Sequence, residues 1–246
     1  MDLQPPSLLR SHAYIDGAWV GKPTLPVLDK ATGGVFASVP DLGADETRAA
    51  VEAAQRAFPG WSRKLAKERS AILRRWHDLV IAHADDLALI LTREQGKPHA
   101  DALFEVLGCA LWCEGTAALE LTPLIAEDSA ERRSVTTREP IGVVGAIVPW
   151  NFPLLLAFWK IAPALLAGNT IIVKPAPTTP LTTLKVGELL ADALPPGVLN
   201  ILSGDEQLGP WMTAHHGIDK ISFTGSTRTG QRIMASAAGS LKRLTL

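Results

Sequence analysis

Residues 224–230 read Thr-Gly-Ser-Thr-Arg-Thr-Gly, a run whose types suit an anion. Gly225 and Gly230 let backbone approach a ligand, Ser226 offers a hydroxyl, and a helix starting near Thr227 would aim its positive end at a phosphate or pyrophosphate. The run stops short of the nucleoside-triphosphate loop, because Gln231 and Arg232 stand where that motif needs Lys and then Ser or Thr. An ordinary strand-to-helix turn would use the same glycine pair. Lys174, closing the apolar run Thr170-Ile171-Ile172-Val173 before a proline-rich loop, reads either as a donor to ribose hydroxyls or phosphate or as a solvated strand end. Asn151 lies between Trp150 and Phe152 in an apolar stretch, where an unpaired amide is costly. Its side chain either bonds local backbone or awaits a ligand, and an amide NH2 stabilises an oxyanion.

These residues need a scaffold that presents them together. Apolar runs at 142–148, 170–173, 198–202, 220–223 and 243–246 alternate with helical stretches at 154–166, 181–193, 206–214 and 227–238. That alternation predicts parallel pairing through right-handed crossovers, hence an open α/β sheet covered on both faces. Ligands bind such sheets outside the carboxyl ends of the strands. Pro149-Trp150-Asn151-Phe152-Pro153, Lys174-Pro175-Ala176-Pro177, Ser203-Gly204 and the 224–230 run then form one set.

Upstream, residues 44–58, 67–94 and 98–119 read as three helices, with Gly96-Lys97-Pro98 breaking the second from the third. Residues 13–20 read as a hairpin about Asp16-Gly17 that packs on a sheet edge. Residues 121–140, with Val and Thr among arginines, read as an extended ribbon used in assembly. Lys plus Arg number 24 against 25 Asp plus Glu, which gives no electrostatic footprint for nucleic acid or an anionic membrane. The apolar stretch 141–173 is interrupted by Pro149, Asn151, Pro153, Lys160, Pro163 and Asn169, and so reads as core. The only two cysteines, Cys109 and Cys113, and the absence of a secretory leader point to the cytoplasm. Both cysteines read as packing within a helix, and no metal site is expected.

The motifs Ile147-Val148-Pro149-Trp150-Asn151-Phe152-Pro153, Lys174-Pro175-Ala176 with Thr179-Pro180-Leu181, and Ile221-Ser222-Phe223-Thr224-Gly225-Ser226-Thr227 with Gly230 resemble the aldehyde dehydrogenase superfamily in order and spacing. Glu94-Gln95-Gly96-Lys97-Pro98, Arg138-Glu139-Pro140-Ile141-Gly142 and Pro196-Gly197-Val198-Leu199-Asn200 extend the likeness over nearly the whole chain. The resemblance implies oxidation of a small aldehyde to an acid: a cysteine adds to the carbonyl, hydride passes to the nicotinamide, and a glutamate activates water against the thioester. It implies that Asn151 is catalytic, donating to the oxyanion. It implies cofactor binding by Val148, Pro149, Trp150, Lys174, Ala176, Pro177, Gly204, Gly225, Ser226, Thr227 and Gly230. Lys174 would bond the adenosine ribose, Gly225 and Ser226 the pyrophosphate, and Gly230 would permit close packing of helix and cofactor. Pro177 stands where many relatives carry a ribose-binding glutamate, so either NAD or NADP is implied.

The implied architecture is a Rossmann-like sheet at 141–246, preceded by the hairpin and helices of 1–120 and an oligomerisation-type arm at 121–140, with the catalytic domain absent. The family's base and nucleophile fall downstream of residue 246, so the chain is expected to be a truncated, cofactor-binding part without turnover of its own. A homo-oligomer is implied as partner. The alternative is a non-catalytic nucleotide-binding or assembly module that pairs with a full-length relative through the arm. A reductase of activated acyl groups would share the fold and need the same downstream cysteine.

Overall fold

Apolar strands with no polar face have to be covered on both sides, and the covering begins at the N-terminus. The computed structural model of the protein describes residues 9–246. Its first elements are β1 (Ala13–Ile15) and β2 (Ala18–Val20), an antiparallel pair turned by Asp16 at φ 51° and Gly17 at φ 81°. Two successive positive φ values are the mark of a type I′ hairpin turn. A second hairpin, β3 (Pro23–Leu28) with β4 (Val35–Pro40), was not anticipated from the sequence.

Four helices follow: α1 (Ala44–Ser62), α2 (Ala66–Ala82), α3 (Ala84–Gln95) and α4 (His99–Ala117). The single helix expected over 67–94 is thus two, broken at His83, which leaves helical geometry at φ −114° and ψ 20°. Nothing in the apolar stripe marks that break, since Leu73, Trp76, Val80, Leu87 and Leu91 keep helical spacing across it and are all buried. Helix α1 outruns its expected end at residue 58 through Pro59, and the added turn carries Trp61 into the core. The ribbon at 121–140 forms β5 (Leu124–Asp128) and β6 (Arg133–Thr136), antiparallel and largely exposed.

The alternating region then runs β7 (Val143–Ile147), α5 (Pro153–Leu166), β8 (Thr170–Lys174), α6 (Leu181–Ala191), β9 (Leu199–Ile201), α7 (Leu208–Ala214), β10 (Lys220–Phe223), α8 (Thr227–Ala238) and β11 (Arg243–Thr245). One seven-stranded sheet has the order β11-β10-β7-β8-β9-β1-β2. Its strands β11 to β9 are parallel, and β1 joins antiparallel to β9 through Tyr14 opposite Ile201, so the hairpin closes one edge as expected. Side chains alternate between two cores. Val144, Ala146, Ile171 and Val173 pack with α2 to α6, where Trp76 and Phe158 stack at 4.0 Å. Val143, Ile172, Ile221 and Phe223 pack on the other face with Ala50 and Val51 of α1, Met212 of α7 and Ile233 of α8.

Candidate functional site

Register brings the predicted residues to one edge. Ile147 pairs with Lys174 and with Phe223, and Val173 pairs with Ile201, so β7, β8, β9 and β10 end level with one another. The ladder continues past the strands: Val148 N–H donates to the Lys174 carbonyl at 3.0 Å, Leu202 N–H to Val173 at 2.8 Å and Thr224 N–H to Ile147 at 3.3 Å. Segments 149–153, 175–180, 203–204 and 224–230 therefore leave the sheet on the same side.

The first segment departs from expectation. Trp150 is 61 % exposed and Phe152 43 % exposed, and Asn151 is exposed with them, so burial does not penalise its amide. Asn151 is held by its backbone instead: its carbonyl accepts from Lys97 Nζ at 3.1 Å and from Gln95 Nε2 at 3.4 Å. Lys97 pairs with Glu105, whose Oε1 accepts the N–H groups of Leu154 at 2.9 Å and Leu155 at 3.1 Å. A fully buried carboxylate from α4 thus satisfies orphan donors of α5. Sequence reading gave neither residue a role at this edge.

The second segment has the same support. Glu94, fully buried on α3, accepts from Leu181 N–H at 2.7 Å and Thr182 N–H at 2.9 Å, and also from the Thr182 hydroxyl. It caps α6 as Glu105 caps α5, but burial pushes its carboxyl up to about 7 against those hydrogen bonds. At the start of this segment, Lys174 is 5 % exposed and meets, among the described residues, only the Pro175 carbonyl at 3.4 Å. Burial lowers its pKa, opposed by Glu206 and Asp205, and among the described residues no carboxylate lies within ion-pair distance. A buried ammonium with donors to spare is suited to ligand oxygens, which disfavours the solvated-lysine reading. Val148 and Ala176 are buried beside it, and Pro149 and Pro177 half-buried.

In the fourth segment Ser226 is the cap of α8, its Oγ accepting from Thr229 N–H at 3.2 Å. Residues 225–229 are exposed, and helix geometry leaves the N–H groups of Thr227 and Arg228 without intrahelical acceptors. A Cβ on Gly225 would stand 2.4 Å from Phe223 Cζ, so packing against the ring dictates that glycine, and one on Gly204 would stand 2.5 Å from Leu208 Cδ1 and 3.2 Å from the Leu42 backbone nitrogen. At Gly230 a Cβ would meet nothing closer than 3.9 Å, so the protein's own contacts would admit alanine. Lys160 of α5 donates to Thr224 Oγ1 at 2.8 Å, and burial together with Lys220 lowers its pKa to about 8. This tie between α5 and the fourth segment was also missed.

Cys109 and Cys113 are fully buried in α4, and burial raises both thiols, so neither is a nucleophile for this edge. Among the described residues no group of three His, Cys, Asp or Glu could hold a metal, and no helix is long and apolar enough to cross a membrane.

Comparisons with known proteins point the same way. The model described as the aldehyde dehydrogenase family matches residues 19–246. The 3-sulfolactaldehyde dehydrogenase of Pseudomonas putida is 41 % identical over 254 aligned residues, covering 100 % of this chain and 52 % of that protein. The mitochondrial succinate-semialdehyde dehydrogenase of Arabidopsis thaliana is 41 % identical, covering 99 % of this chain and 48 % of its own length. The crystal structure of succinate-semialdehyde dehydrogenase from Burkholderia pseudomallei superposes with a TM-score of 0.95 at 46 % identity, over 100 % of this chain and 53 % of that one. The chain spans about half the length of the curated relatives it matches.

Proposed function

The chain belongs to the aldehyde dehydrogenase family, and from that premise we propose that it forms the dinucleotide-binding part of a cytoplasmic enzyme that oxidises a small aldehyde to its carboxylic acid with NAD or NADP. The observation that carries this reading is Lys174, a buried cation without a carboxylate partner on the edge where α8 leaves its first N–H groups open. The donor set fits a dinucleotide. Lys174 would bond ribose hydroxyls, and Gly225, Ser226 and the N–H groups at the start of α8 would hold the pyrophosphate. Val148, Pro149, Trp150, Ala176, Pro177, Gly204 and Thr227 would line the same crevice, and Gly230 would permit close packing of α8 against the cofactor. The bound nicotinamide would supply the hydride acceptor. Asn151, exposed and with its side chain unengaged, would donate its amide NH2 to the aldehyde oxygen as charge develops there.

A thiol and a carboxylate base are required in addition, because Cys109 and Cys113 are buried and held protonated. In this reading residues 1–120 and 141–246 make the cofactor domain, and the arm at 121–140 serves a homo-oligomer. A second reading, a non-catalytic module paired with a full-length relative, is favoured by the exposed Leu124, Ile125 and Val135 of that arm.

The test is a titration of NAD and of NADP followed by tryptophan fluorescence, together with the intact mass of the polypeptide in its source. Binding of either dinucleotide is expected, with no aldehyde oxidation by a 26.3 kDa chain alone. Failure of both to bind at concentrations of about 1 mM, on the order of −4 kcal/mol, overturns the reading. Recovery of a longer homologous chain with this one favours the paired module.

A further inference from the structure

We propose that Lys97 and Glu105 are positioning residues that anchor the backbone from which the Asn151 amide projects, a role that rests on the oxyanion reading of Asn151 given above. The lysine side chain is 10 % exposed and the glutamate fully buried. Lys97 Nζ reaches a Glu105 oxygen, the Asn151 carbonyl at 3.1 Å and the face of the Phe152 ring at 4.1 Å. The other Glu105 oxygen holds Leu154 and Leu155 by their N–H groups. One ion pair therefore grips the segment at residues 151, 152, 154 and 155.

That grip matters because the rest of the segment has little else to hold it. Trp150, Asn151 and Phe152 are exposed, and the Asn151 side chain has no partner among the described residues, so its backbone is the part the protein anchors and sets which rotamers can reach a ligand. A buried ion pair is poor evidence for stability, since apolar side chains of similar volume are commonly as stable. What an apolar pair lacks is direction: it offers neither a donor to the Asn151 carbonyl nor an acceptor for the first turn of α5. Gln95 is a weaker second donor to the same carbonyl, at 3.4 Å.

The test is 15N relaxation on the ligand-free chain for wild type, Lys97→Met, Lys97→Arg and the double variant Lys97→Met/Glu105→Gln. The double variant removes the stranded carboxylate and so keeps the test alive if Lys97→Met does not fold. Order parameters at Asn151 and Phe152 are expected near ~0.85 in wild type, below ~0.6 in both Met variants, and largely restored by Lys97→Arg. Undiminished order in both Met variants overturns the proposal. Dinucleotide affinity is expected to fall about twofold to tenfold in the Met variants, because Trp150 on the loosened segment lines the cofactor crevice. Absence of binding in wild type would count against the functional reading only, because the relaxation experiment needs no ligand.

Discussion

The helices α5 and α6 begin inside the protein, and their first turns are closed by its own carboxylates. Helix α8 begins at the surface and is closed by a neutral hydroxyl. Glu105 reaches α5 across 49 residues of sequence, and Glu94 reaches α6 across 87, whereas Ser226 caps α8 from three residues away. All three helices follow strands of the same sheet and point their positive ends at the same edge. The difference teaches which of them is open to an external anion: two termini are already neutralised, and one keeps its attraction. The internal caps also differ from each other, since Glu105 has Lys97 as a partner and Glu94 has no cation among the described residues.

Removing an internal cap is the strongest way to break the comparison. Glu105→Ala strands Lys97 and the N–H groups of Leu154 and Leu155 in the interior, and should cost about 3–5 kcal/mol in chemical denaturation. A loss under about 1 kcal/mol would mean that α5 does not depend on its carboxylate. Glu94 tests the other internal cap through pH. Its folded pKa of about 7 lies above the ordinary 4.5, so the folded state binds this proton more tightly than the unfolded chain does. The stability tied to that proton is fully present below about 4.5 and is lost as pH rises through about 7. Glu94→Gln should flatten this window, so that the wild-type and variant profiles diverge by on the order of 3 kcal/mol from pH 4.5 to above 7. Parallel profiles would refute it.

Two glycines sharpen the comparison at α8. Gly225→Ala drives a methyl into the Phe223 ring and should cost about 1–3 kcal/mol of stability. Gly230→Ala meets no close atom and should instead stabilise the helix, by up to about 1 kcal/mol. If the crevice binds a dinucleotide, that same methyl weakens binding, so melting temperature and affinity should move in opposite directions. The smallest change is Ser226→Asp. It gives α8 a carboxylate cap like the one Glu105 supplies to α5, which should add about 0.3–1 kcal/mol to the helix at low salt and reduce dinucleotide affinity. Unchanged affinity would mean that the phosphates bind elsewhere.

Much of this was readable from local pattern. The bounds of β10 and α8 follow from an apolar run and a Gly-Ser-Thr start, and the parallel strands from runs such as Thr170–Lys174 that are buried throughout. The β3 and β4 hairpin escaped because Pro26 interrupts β3, Pro23 and Pro40 stand at the strand ends, and Thr32-Gly33-Gly34 is a weaker turn signal than Asp16-Gly17. The capping glutamates escaped for a different reason: their partners lie far along the chain, and a glutamate in a helix ordinarily faces water. A signal was available all the same. Glu94 stands three residues after buried Leu91, and Glu105 lies on the stripe of Ala102, Cys109 and Cys113, so each interrupts an apolar face where a solvated charge has no place. The Asn151 amide was misjudged because its apolar neighbours, Trp150 and Phe152, are themselves exposed.

The pairing of Tyr14 with Ile201 sets a timetable for the chain as it is made. At about 5–20 residues per second, Tyr14 waits on the order of 10–40 s for the strand it will pair with. Over that interval Ala13, Tyr14 and Ile15, which the finished protein buries, have β2 on one side and an open edge on the other. Asp16 N–H likewise waits for the Asn200 side chain that it meets at 3.0 Å. The first strand synthesised is therefore among the last to be locked, and a nascent chain stalled before residue 199 carries an apolar hairpin open to chaperones and to aggregation.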